Sequence, residues 1–118
     1  MPRYTVRNPA RGAVLAAGAE LAGTSRQRRT GLLKRESLPA GEGLWIAPCE
    51  GVHTFGMRFA IDVLFLDRRG AVLKARPHMG PGRMSLCVWA HSVLELPAGT
   101  IAATGTKTGD RLEFEEIS

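Results

Sequence analysis

The chain has 118 residues, 44% apolar and 23% charged, with a net charge of +5 and a pI near 10.0. That length suits one domain able to bury roughly two-thirds of its unfolded surface, and the balance of apolar and charged residues excludes a disordered chain. Basicity favours contact with polyanions, but the seven aromatic residues do not interleave with the basic ones, which excludes a base-stacking platform and sequence-specific nucleic-acid reading.

Met1–Arg7 has no apolar stretch behind its charges, so no signal peptide is expected. No run approaches the ~18 apolar residues of a membrane span. Cys49 and Cys87 are too few for a disulfide scaffold, and neither has a second cysteine at zinc-ligand spacing. Two free thiols, a cytoplasmic location, no metal and no cofactor are the expectation.

In chain order, residues 3–7 predict a short edge strand ending at Asn8-Pro9. Residues 12–22 predict a second strand carrying Val14, Leu15 and Leu21. Thr24-Ser25-Arg26-Gln27 has capping-box spacing and opens a helix over 25–35, which must dock Leu32 and Leu33 on a sheet and tolerate Gly31. Residues 38–43 are a loop and 44–47 a strand stopped by Pro48. An extended segment follows over 52–61, then an apolar central strand over 63–66. Asp67-Arg68-Arg69-Gly70 turns the chain back along 71–76. Pro77–Arg83 reads as a mobile loop, 85–88 and 92–96 as strands. Thr100 caps a single helical turn closed by Gly105, and 111–117 is a last strand. The pattern gives one mainly β (α+β) domain over residues 1–118. Its form is a small barrel or a strongly twisted antiparallel sheet with one short helix.

Three blocks carry a family resemblance. They are Thr24-x-x-Gln27-Arg28-x-x-Gly31-Leu32-Leu33-x-Arg35; Phe59-Ala60-Ile61-Asp62-Val63-Leu64-Phe65-Leu66-Asp67; and Val93-Leu94-Glu95-Leu96-Pro97-Ala98-Gly99 followed by Thr108-Gly109-Asp110. In this order and spacing they resemble the domain-of-unknown-function family 192 over roughly residues 12–117. The resemblance implies a compact mainly β domain and no particular reaction. Many members carry an aromatic-Met-Lys-Asn-Thr block where this chain has His53-Thr54-Phe55-Gly56-Met57, so a role resting on that lysine does not transfer. Cys49 and His53 mark a distinct branch.

The candidate site residues are His53, Arg58, Asp62 and Glu95, polar groups in or beside apolar strands. Buried charge is expensive unless paired or used. Arg58 and Asp62, four residues apart, read either as an ion-paired anchor of a ligand pocket or as a solvated arginine beside an aspartate capping a strand end. Arg28 and Arg35 are candidates for structural ion pairs between helix and sheet. Cys49 with His53 is the one pair suggesting nucleophilic catalysis, yet four residues of extended chain span ~13 Å. No two of His53, His78 and His91 have ligand spacing.

Three functions follow. The first is a non-catalytic accessory domain binding a small anion or a peptide end through His53, Arg58, Asp62 and Glu95. The second is a small hydrolase or transferase with His53 or Asp62 as general base. The third is a partner-binding module of an envelope or secretion system acting through the basic helix and the 77–84 loop. Oligomeric state is open.

Overall fold

Short apolar runs punctuated by glycine and proline commit the chain to strands. The computed structural model describes residues 1–117. It contains nine strands: β1 (Arg3–Asn8), β2 (Ala13–Ala22), β3 (Glu42–Ile46), β4 (Gly51–His53), β5 (Ile61–Leu66), β6 (Val72–Met79), β7 (Met84–Leu86), β8 (Ser92–Pro97) and β9 (Glu113–Glu116). Two helices, α1 (Ser25–Thr30) and α2 (Thr100–Thr104), and a 3-10 turn at Pro9–Arg11 complete it. Seven strands form one sheet in the order β6-β5-β8-β3-β2-β1-β9, and β4 pairs with β7 in a separate ribbon.

Two features of the predicted architecture are corrected. The sheet is mixed, because β2 and β3 run parallel. A parallel pair needs a crossover, and residues 23–41 supply one that carries α1. The sheet also does not close into a barrel. It curls until the β5–β6 turn meets the segment before β9, where Leu112 N–H donates to Gly70 O at 2.9 Å and Ala71 bridges Arg111. Gly70 is required there. Its φ is +84°, and a Cβ would lie 2.6 Å from the Leu112 carbonyl oxygen. No ladder extends from this bridge, so the mouth stays open.

Several elements differ from expectation for local reasons. The predicted helix stops at Thr30, since Gly31 takes a φ of +47°. The capping box forms, with Gln27 N–H donating to Thr24 Oγ1 at 3.1 Å. β1 is an interior strand between β2 and β9, not an edge. The 52–61 segment is strand only to His53, then turns where Met57 N–H donates to Thr54 O. β6 runs on through Pro77 and His78; as a sheet-edge strand it tolerates a proline without an N–H. A second helix, α2, stands where one turn was predicted, with Gly99 as its N-cap.

The sheet separates two cores. On one face Leu32, Leu38, Val52 and Met57 pack over Leu44, Ile46, Val63, Phe65 and Val93. On the other, Val6, Leu15, Ala19, Leu64, Leu94, Leu96, Ile101 and Leu112 fill the curl. Period-two alternation along β5 and β8 sends successive side chains to opposite cores. All six residues of β5 are buried.

Candidate functional site

β8 lies between β5 and β3, with Glu95 directly opposite Val63 and Leu44. Alternation aims its side chain at the face covered by α1 and the β4–β7 ribbon, the same side as Val93. Glu95 is only 4% exposed. Burial pushes its carboxyl up to about 7, with no hydrogen bond or cation opposing the shift. The side chain forms part of the lining of a cavity of about 160 Å³. Leu33, Ile46, Val52 and Met57 are its apolar walls, Cys49 lies in its side, and Arg28, Arg29 and His53 stand at its mouth.

Each of these groups has a definite state. Cys49 is half-buried; its N–H donates to His91 O at 3.0 Å and its Sγ donates to Gly51 O at 3.0 Å. Burial raises its pKa, the Gly51 bond opposes that, and the charge of Glu95 adds to it. The group is therefore a thiol at neutral pH. His53 is exposed and its ring stacks on Phe55, centroids 5.4 Å apart. Arg28 donates to Gly23 O at 2.6 Å and to Ser25 Oγ at 3.3 Å, which holds its guanidinium against the helix start. Arg29 is exposed.

The structure brings together two of the four residues predicted to bind ligand, His53 and Glu95. Asp62 points into the opposite core. Its Oδ1 accepts His78 N–H at 2.9 Å and its Oδ2 accepts Ile101 N–H at 2.7 Å. It thus ties β5 to β6 and to the first turn of α2, and holds His78 at a φ of +49°. Arg58 is on the surface, 3.0 Å from Glu36, and does not meet Asp62. Arg35 pairs with Glu20 at 3.2 Å and Glu42 at 3.6 Å, whereas Arg28 meets no carboxylate among the described residues. Half-exposed pairs of this kind contribute about 1 kcal/mol or less. Cys49 and His53 line one cavity without a hydrogen bond between them.

Sequence reasoning missed Arg29, Leu33 and Met57 as pocket residues, because their placement depends on how the crossover folds over the sheet. Among the described residues no group of three or more His, Cys, Asp or Glu could hold a metal ion, and no helix is long and apolar enough to cross a membrane.

Two crystal structures share this fold. A proposed transcription regulator from Sinorhizobium meliloti 1021 superposes with a TM-score of 0.83 at 25% identity, over 96% of this chain and 92% of that one. A protein of unknown function from Novosphingobium aromaticivorans DSM 12444 gives 0.81 at 25% identity, over 94% and 83%. No curated protein matches the sequence. The model of the DUF192 family, described as an uncharacterized ACR, matches residues 6–114, nearly the whole chain. With the three sequence blocks and this fold in agreement, the chain belongs to the DUF192 family, whose molecular function is unknown.

Proposed function

We propose that this protein is a non-catalytic binding domain that holds one end of a small ligand or peptide in the Glu95 cavity. A single observation carries the reading. Glu95 is buried at the cavity, has no partner among the described residues, and is poised near neutral pH to accept a hydrogen bond or a positive charge. An unpaired buried carboxyl costs stability, so its presence there is best explained by a ligand that satisfies it. The apolar walls suit a short aliphatic stem, and Arg28 and Arg29 at the mouth suit an anionic group on the outer end. The ligand is therefore amine-terminated inside and acidic outside, as in an amino acid or a peptide end.

Three observations favour binding over general-base chemistry. Both Asp62 oxygens are engaged by backbone N–H groups. His53 stacks on Phe55, and no carboxylate among the described residues is hydrogen-bonded to it. Cys49 is held as a protonated thiol. The S. meliloti protein's description concerns transcription, but the helices here have six and five residues, short for a groove-reading element. A partner-binding role draws support from a separate feature: Phe55, Met84, Leu86, Val88 and Trp89 are all exposed around the β4–β7 ribbon, whose β4 strand also lines the cavity. Two free cysteines fit a reducing compartment such as the cytoplasm.

Melting curves with γ-aminobutyrate, n-butylamine and butyrate test the reading. The midpoint should rise most with γ-aminobutyrate, less with n-butylamine and least with butyrate, and Glu95→Gln should abolish the rise. Equal responses in wild type and Glu95→Gln, or a response to butyrate alone, would overturn it.

A further inference from the structure

A cavity of about 970 Å³ lies on the other face of the sheet, at the open mouth of the curl. We infer that it is a second, independent binding site, for an organic anion: a carboxylate or phosphate carried on a flat apolar body.

Three features carry the assignment. The first is Trp45 on β3. Its ring stacks on Phe114 at 4.1 Å and meets the edge of Tyr4 at 5.1 Å, which fixes its position. Its indole N–H is buried and finds no acceptor among the described residues. A buried donor without an acceptor costs about 1–3 kcal/mol, and native structures seldom leave one unsatisfied without a bound water or ligand. The same ring forms part of the cavity wall, so a flat molecule seated there packs beside it. The second feature is charge. Arg68, Arg69 and Arg111 line the mouth and have no carboxylate partner among the described residues. Arg111 Nε donates to Arg69 O at 3.1 Å, which holds that side chain across the mouth. Arg7 is answered by Glu115 at 3.2 Å. Asp67 also lines the cavity, but its Oδ1 accepts the N–H groups of Arg69 and Ala71 and so serves its own turn. The lining as a whole carries four guanidiniums against three carboxylates, Asp67, Glu113 and Glu115. The third feature is shape. Leu66, Leu112 and Phe114 give the cavity apolar surface beneath those arginines, so a bare inorganic anion would leave it unfilled. Arginine forks recognise carboxylates and phosphates in a bidentate way, and their planes stack on flat rings.

Indole N–H resonances provide the test, since the chain has only two tryptophans, Trp45 and Trp89. Full-length protein labelled with nitrogen-15 is titrated with phenyl phosphate, inorganic phosphate and benzyl alcohol, and Trp89→Phe assigns the Trp45 peak. Phenyl phosphate should move that peak saturably, while inorganic phosphate and benzyl alcohol should do so weakly. Arg68→Ala with Arg111→Ala should weaken phenyl phosphate binding by roughly tenfold or more, as expected for lost charge-assisted hydrogen bonds. If the double variant does not fold, the exposed Arg68→Glu alone should give a weakening of the same sign. Glu95→Gln should leave the titration unchanged, which separates this site from the first. A Trp45 peak that never moves overturns the assignment, as does a shift indifferent to the arginines or one that disappears with Glu95→Gln.

Discussion

Asp62 and Glu95 sit on adjacent strands, one register position apart, and point to opposite faces of one sheet. Both are buried, at 0% and 4% exposure. Asp62 accepts two backbone N–H groups from two different elements and acts as a bolt between them. Glu95 accepts no hydrogen bond among the described residues. A buried carboxylate that is fully hydrogen-bonded contributes to the fold, and one left open detracts from it. The same residue chemistry in the same sheet therefore separates a structural position from a functional one, and the separation lies in the partners rather than in burial.

The sharpest way to break the comparison is to remove the bolt. Asp62→Ala strands two buried N–H groups and releases both β6 and α2, so it should cost about 3–5 kcal/mol of unfolding free energy. Chemical denaturation at pH 7 measures it. A loss under 1 kcal/mol, well below the cost of one buried unsatisfied N–H, would show that the two elements hold without Asp62.

Glu95 should behave in the opposite sense. Its carboxyl is pushed up to about 7 in the folded state, above the ordinary glutamate value of 4.5. Below the unfolded value both states are protonated and nothing is lost. As pH rises from there, the unfolded chain releases its proton first, so the folded state loses ground until pH 7, after which the penalty is constant. The full shift corresponds to about 3 kcal/mol. Glu95→Gln should thus stabilise the protein by up to about 3 kcal/mol at pH 8 and by almost nothing at pH 4. Denaturation midpoints for both proteins across that range check it. A variant less stable than wild type at pH 8 would mean that Glu95 has a partner in solution. Stability gained where function is lost is the expected mark of a binding residue.

Much of the scaffold was legible because its signals are local. The Thr24–Gln27 capping box, the Asp67–Gly70 turn and the unbroken apolar run of β5 each act within a few residues. The parallel β2–β3 pair was not legible, because strand direction depends on where the crossover lands. Nor was the open mouth, which depends on the close approach of Gly70 and Leu112, 42 residues apart. At the site, no sequence rule says which face the α1 segment covers. Arg58 and Asp62 lay close in sequence, and a turn at 54–60 separates them where an extended strand was expected.

Cys49 offers the smallest effect and a probe of the comparison from inside the cavity. Burial first, and the neighbouring charge of Glu95 after it, raise its pKa. In a Cys87→Ser background, iodoacetamide at pH 7.5 should therefore modify Cys49 more slowly than an unperturbed exposed thiol. Removing the charge with Glu95→Gln should quicken the reaction modestly, because burial remains. The Glu95→Gln acceleration should also shrink towards pH 6, where Glu95 in the wild type is itself mostly protonated. A ligand seated on Glu95 would instead slow alkylation in the wild type and leave Glu95→Gln unaffected. An acceleration independent of pH would assign the change to altered packing, and would detach Cys49 from the charge that the cavity is built around.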